Sequence, residues 1–251
     1  MKGLMSKRFS RFWQIIAAVL AWMALTPLVS QAQTWGSWAV GTLQVPGGAR
    51  KWGGFLEGQI RMNGVARQYN YHEYKGGISY DLSQNFTVLL GLGRYITYDH
   101  RDLQEPLIRE IRVWQQLTQS QNLSRLKFEH RYRFEQRFLD HLDGREEYRN
   151  RIRYRLNLLI PLNDEKLEAG TVFVSLYDEI FLNNRLPNFE RNRFYTGMGY
   201  QLTPQWTIQA GWLNQYDASP GPVRTKNNVV VTVLYRLVGV DRLLRLPTSM
   251  D

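Results

Sequence analysis

From Leu123 to Arg137 two kinds of side chain alternate residue by residue. After Leu123 every odd position is charged: Arg125, Lys127, Glu129, Arg131, Arg133, Glu135, Arg137. The even positions run Ser124, Leu126, Phe128, His130, Tyr132, Phe134. Successive strand residues point to opposite faces, so a strand gathers the charges on one wall and the apolar groups on the other. A helix would scatter the same residues around its cylinder. The next segment repeats the pattern, with Arg149, Arg151, Arg153 and Arg155 alternating with Tyr148, Ile152, Tyr154, Leu156 and Leu158.

The same period runs from Trp52 to Leu237. Leu56, Ile60 and Met62 oppose Glu57, Gln59 and Arg61. Tyr74, Ile78, Tyr80 and Leu82 oppose Glu73, Lys75, Ser79 and Asp81. Phe86, Val88, Leu90 and Leu92 oppose Thr87, Gly91, Gly93 and Tyr95, and Ile111 and Val113 oppose Glu110 and Arg112. Val172, Val174, Leu176 and Ile180 oppose Ser175, Tyr177 and Glu179; Phe194, Met198 and Tyr200 oppose Arg191, Arg193 and Gln201. Trp206, Ile208 and Ala210 oppose Thr207, Gln209 and Gly211, and Val229, Val231, Val233 and Tyr235 close the series. The pattern predicts an all-β fold: an antiparallel up-and-down transmembrane β-barrel of about ten strands over residues 52–237, with twelve as the alternative. Residues 33–51 form an N-terminal segment in which Trp35–Val45 is a possible extra strand. It is left out because single-chain bacterial barrels have even strand numbers.

Connections are predicted to alternate in length, as in outer-membrane barrels. The short ones are Ser83–Asn85, Gln119–Asn122 and Thr203–Gln205. The long ones are Asp99–Pro106, Leu139–Glu147, Asn183–Glu190 and Ser219–Lys226. Pro161–Gly170 is longer than a turn on its side should be. Ten strands from Trp52 to Leu237 place both ends on the periplasmic side.

The first residues read as an export signal. Lys2, Lys7, Arg8 and Arg11 precede an apolar stretch from Ile15 to Leu28, and Ser30-Gln31-Ala32 supplies small residues for cleavage after Ala32. Cleavage removes those four cations and no acid, lowering the net charge from +10 to +6. A basic chain invites a nucleic-acid reading, but here the cations alternate with apolar residues along strands, and export separates the chain from nucleic acid. No nucleic-acid partner is expected. The absence of cysteine excludes disulfides, thiolate metal sites, a cysteine nucleophile and a lipoprotein anchor.

A soluble barrel turns its apolar face inward, a membrane barrel outward. Aromatics near strand ends (Trp52, Tyr98, Trp206, Tyr216, Tyr235) fit interfacial girdles. The apolar face is also larger than a ten-stranded interior holds. The expected wall of the bore is therefore Arg125, Lys127, Arg131, Arg133, Arg149, Arg151, Arg153 and Arg155, balanced by Glu57, Glu73, Glu110 and Glu179. His130 and Asp178 fall on the lipid face and fit it poorly. The expected role is a side-chain-filled structural or interaction barrel in the bacterial outer membrane. A narrow channel or solute binder with a basic wall is the alternative, and a lipid-modifying enzyme a second one. His72, His100, His130 and His141 show neither metal-ligand spacing nor a serine nearby in sequence, so no catalytic residue, metal or cofactor is expected. Expected partners are outer-membrane lipid and lipopolysaccharide, with the barrel-assembly machinery during biogenesis.

Gly77–Leu82 ahead of a tight turn, Arg131–Arg137, Arg149–Leu156, Tyr177-Asp178-Glu179 with Phe181 and Asn183, and Asn192–Tyr195 with Gly197 together resemble a bacterial outer-membrane family called "domain of unknown function 2490". The resemblance runs over most of the mature chain. It implies a barrel and an outer-membrane location, and supplies no activity and no catalytic residues. Asn227–Leu237 also resembles a C-terminal assembly signal, followed here by a tail, Val238–Asp251.

Overall fold

The computed structural model describes residues 34–99, 101–186, 188–218 and 224–237. The expected leader (1–32), His100 and the tail (238–251) lie outside them. Eleven strands run in chain order: β1 (Thr34–Val45), β2 (Trp52–Asn63), β3 (Gln68–Asp81), β4 (Phe86–Asp99), β5 (Asp102–Leu123), β6 (Leu126–His141), β7 (Glu146–Pro161), β8 (Val172–Asn183), β9 (Phe189–Gln201), β10 (Trp206–Asp217) and β11 (Arg224–Arg236). Each pairs with its neighbour in sequence, and β1 closes the ring on β11.

Among the described residues the closed ring has eleven strands, close to the expected ten, the addition being the segment left out as a possible extra strand. Trp35–Val45 belongs to β1, which hydrogen-bonds antiparallel to β2 and parallel to β11, with Trp35 opposite Asn227 and Gln44 opposite Arg236. A strand of this pattern left outside would expose a row of unpaired backbone groups. Within the ring both its edges are satisfied. The odd number has a topological consequence. Trp35 lies beside the β2–β3 turn, where its carbonyl accepts from Gly64 N, whereas Leu237 N donates to Gln44 O beside the β1–β2 turn. The first strand begins and the last strand ends at opposite ends of the barrel, not at one end.

Loop lengths depart from expectation as well. Only two residues separate β4 from β5, four separate β6 from β7, and five separate β8 from β9. Most of Asp99–Pro106 and the two ends of Leu139–Glu147 continue the strands, whereas residues 184–188 of Asn183–Glu190 form a loop; residues 219–223 of Ser219–Lys226 lie outside the described residues. Gln119–Asn122, read as a turn, lies within β5. Polar residues suffice there because β6 continues the ladder past the start of β4, with Ser120 opposite Glu129 and Asn122 opposite Lys127.

From β2 onward the two faces follow the predicted alternation, apart from a bulge at Glu190. Arg151, Arg153 and Arg155 are 2–3 % exposed and point into the ring. Leu56, Tyr74, Ile78, Leu90, Ile111 and Ile152 stand on the outside with more than half their surface exposed. The barrel is thus inverted relative to a soluble one. Outside, aromatics pair near both rims: Trp52 with Tyr80 and Trp206 with Tyr235 at one end, Tyr69 with Tyr98 and Phe189 with Tyr216 at the other. Trp206 and Tyr216 are ten residues apart on β10, about 33 Å along the strand. At the usual tilt of about 40° this separation becomes about 25 Å, the height of a lipid-facing apolar band.

Candidate functional site

The bore is packed with charge and aromatic rings. Among the described residues, Lys75 and eight arginines are buried with seven glutamates, a surplus of cations. Nine of the twelve residues expected to line the wall lie in this group: Arg131, Arg133, Arg151, Arg153, Arg155, Glu57, Glu73, Glu110 and Glu179. Lys127 is half-buried and pairs with Glu129 at 2.7 Å; Arg149 is half-buried and pairs with Glu147 at 2.7 Å. Arg125 is not in the wall. It lies in the β5–β6 turn, exposed, with Nη2 donating to Asp164 O at 2.8 Å. Strict alternation carried it inward on paper, but the turn residue Ser124 takes a left-handed φ of 55° and ends β5 before it.

The wall residues form one ladder. Arg131 pairs with Glu179 at 2.5 Å, and Arg153 bridges Glu179 (2.9 Å) and Glu135 (2.8 Å). Arg151 joins Glu135 (2.7 Å) to Glu190 (2.8 Å). Arg137 and Arg112 share Glu110 at 2.6 and 2.5 Å, and Arg133 donates to Gln116 Oε1. On the other side of the bore Lys75 bridges Glu57 and Glu73, both at 2.7 Å, and Arg61 reaches Glu73 at 3.3 Å. Charges removed from water are tolerable only when paired this closely and hydrogen-bonded.

Aromatic rings join the two sides. The Arg61 guanidinium lies 4.0 Å from the Trp38 ring and 4.3 Å from Tyr71, and Arg193 lies 4.9 Å from both Trp38 and Phe181. Phe181 also carries Arg153 at 4.5 Å and Arg151 at 5.1 Å. Trp38 and Val40 of β1 share one buried cluster with Tyr177 of β8, Tyr195, Leu213 and Val230. Strands β1 and β8 are four steps apart around the ring, so this cluster spans a large part of the bore.

Several of these residues escaped the sequence reading. Lys75, Glu129, Glu135, Arg137 and Arg193 stood on the predicted polar face but were not singled out. Glu190 was placed in a loop. It faces inward because a bulge between Phe181 and Leu182 leaves it as the extra residue, with Arg191 and Phe189 taking the paired positions. Tyr95 and Tyr177 stand on the predicted inward face, but the inward rings of Trp38, Tyr71, Trp114 and Phe181 carried no signal, since a polar face in a strand pattern predicts no rings. The companion signal was glycine, because Gly91, Gly197, Gly199 and Gly211 lie against Trp114, Tyr195 and Phe173.

The outward misfits have partners. His130 Nδ1 is 2.9 Å from Tyr154 Oη, and Asp178 Oδ1 accepts from Asn192 Nδ2 at 3.0 Å. His72 lies among Tyr69, Tyr74 and Tyr98 on the outer face. His141 lies at the rim, 3.6 Å from Glu147. Arg94, also outward, lines with Arg109 and Asp140 a surface hollow of about 660 Å³ at the same rim.

A closed β-barrel with an apolar exterior and a bore filled by ion pairs and rings defines the class. The chain belongs to the family described as "Protein of unknown function (DUF2490)", whose model matches residues 33–226; this is the family that the motifs around Gly77, Arg131 and Asn192 resemble. No curated protein matches the sequence. Among solved structures it is similar to the NanC porin, with 13% identity and a TM-score of 0.49 over 82% of this chain and 100% of that one.

Proposed function

We propose that this protein is an outer-membrane β-barrel whose bore is closed by its own side chains, with a structural or interaction role carried by its rims and outer wall. One observation carries the reading: Glu135 and Glu179 are each held by two arginines inside the ring, with Phe181 beneath the guanidinium groups. Barrels of about eight strands are filled by side chains and open pores arise near sixteen. Eleven strands packed with arginine and aromatic rings stand on the filled side of that range. The apolar exterior with aromatic bands about 25 Å apart fits lipid, so lipid and lipopolysaccharide are its proposed surroundings and the barrel-assembly machinery its route there. No catalytic role is assigned.

The test joins fractionation to electrophysiology. The folded chain should sediment with outer membranes and migrate anomalously on a gel until boiled. In planar bilayers it should give no conductance steps. A soluble profile would remove the membrane reading, and steady steps would remove the closed bore. The surplus of buried cations favours one alternative, a narrow anion-selective channel, and the reversal potential in a salt gradient would reveal it.

A further inference from the structure

Residues 162–171, between β7 and β8, form the longest connection, ten residues where the other turns at that end need two to six. It is held at both margins. Asn163 Nδ2 donates to Gly170 O at 2.9 Å while its Oδ1 accepts from Val172 N at 2.7 Å. Thr171 Oγ1 accepts from Glu168 N and donates to Lys166 O. Gly170, at φ 91°, makes the reversal and donates its N–H to Gln201 O at 2.7 Å. Leu167 packs against Leu159 and Phe173. The segment is a fixed cap, and Arg125 ties it to the β5–β6 turn through Asp164 O.

Beneath the cap is a cavity of about 570 Å³ at the end of the bore, walled by residues 165–169, Lys127, Gln201 and Arg236. Arg236, on the last turn of the ladder in β11, is 6% exposed, and its Nε and Nη2 find no acceptor. The nearby Glu129 is engaged by Lys127 at 2.7 Å and by Asn157 at 3.3 Å. Two unused guanidinium donors in a buried site carry a desolvation penalty that an anion would offset. Arg125, Lys127 and Lys166 add positive charge around the same space, against the carboxylates of Glu165 and Glu168, so with Arg236 the lining carries four cations and two anions.

We infer that this capped cavity binds a small oxyanion from the aqueous side, with Arg236 as its forked donor and Lys127 and Lys166 supplying attraction. The inference rests on the barrel reading for its setting, and does not depend on whether the middle of the bore conducts. Lys127, Gln201 and Arg236 line it from inside the ring, so a solute reaches it from the mouth and a lipid headgroup on the outer wall does not.

The test is calorimetric titration of the refolded chain, in zwitterionic detergent at constant ionic strength, with inorganic phosphate. Saturable binding is expected, weakened roughly tenfold by Arg236→Gln, as expected for loss of a charged hydrogen-bond pair. Arg236→Lys, which keeps the charge but loses the fork, should weaken it as well, and serves if Arg236→Gln fails to fold. Lys166→Gln on the exposed cap should weaken it less. No saturable heat, or unchanged affinity in the Arg236 variants, would overturn the site. Adding an anionic phospholipid distinguishes the source: abolished phosphate binding would assign the cavity to a headgroup and overturn a water-borne ligand. The conductance result is independent of both outcomes.

Discussion

Trp114 of β5 lies over Gly91 of β4, its direct partner across the strand pair, so closely that a methyl group on Gly91 would meet the indole Cε2 at 2.1 Å. The ring is completely buried and carries the Arg133 guanidinium at 4.9 Å on its way into the bore. The glycine is therefore a seat for the indole. Gly91→Ala should destabilise the barrel by at least about 1–3 kcal/mol, the range for overpacking a filled interior. Trp114→Ala should cost about 3–5 kcal/mol through the cavity it leaves. Urea titration of folding into lipid vesicles measures both. A neutral Gly91→Ala would mean that the ring has another place to go.

Glu135 accepts from Arg151 Nε and Arg153 Nη1, each at 2.8 Å, and Arg133 stands 3.6 Å away as a third cation. Glu135→Gln leaves both guanidinium groups short of a counter-charge in a bore that already holds more cations than anions. Breaking a buried pair from one side costs about 3–5 kcal/mol, and the surplus fixes the sign of an asymmetry: Glu135→Gln should cost more than Arg151→Gln. By contrast, Arg109 and Asp140 pair at 3.8 Å on the surface, each about half exposed. Arg109→Ala should change stability by less than about 1 kcal/mol. Equal effects in the bore and at the surface would mean that the ladder is solvated.

The division of residues between the two faces was legible from sequence on every strand from β2 onward, because a period of two is a local property of the chain. Closure was not. Whether Trp35–Val45 joins the ring depends on a parallel pairing with Asn227–Arg236 almost two hundred residues away, and no local pattern records that. Glu190 was lost for a related reason, since one bulged residue reverses the alternation after it. The strand ends were misread because Asp102, Gln104 and Glu190 are polar enough to resemble loop residues, while hydrogen bonding first to β4 and then to β6 keeps β5 extended over 22 residues. The filling of the bore was half legible: its charges stood in rows with Tyr95 and Tyr177 among them, whereas rings such as Trp114 and Phe173 showed only through the glycines that make room for them.

Eleven strands put the start of β1 and the end of β11 at opposite ends, and the chain has no cysteine, so single cysteines report the arrangement directly. Arg67 is exposed in the β2–β3 turn, at the end where β1 begins; Gln84 is exposed in the β3–β4 turn, at the end where β11 stops. With the end of β11 on the periplasmic side, Arg67→Cys should react with an impermeant maleimide on intact cells. Gln84→Cys should react only after the outer membrane is permeabilised. Labelling of both on intact cells would contradict a spanning barrel, and the reverse pattern would invert its orientation.

His130 and Tyr154 form an isolated polar pair on the outer face, Nδ1 to Oη at 2.9 Å, among Tyr132, Phe134 and Leu156. In lipid a polar group has no water to turn to, so each partner satisfies the other. Tyr154→Phe strands the imidazole and should cost about 1–3 kcal/mol in vesicles, the penalty for an unsatisfied buried group. Replacing both partners by apolar groups of similar shape removes the need as well as the bond. The double variant His130→Leu/Tyr154→Phe should therefore recover most of the loss. The contrast depends on the solvent outside the barrel. If Tyr154→Phe proves neutral and His130→Leu destabilising, this face meets water instead of hydrocarbon, and the lipid-facing reading fails at its centre.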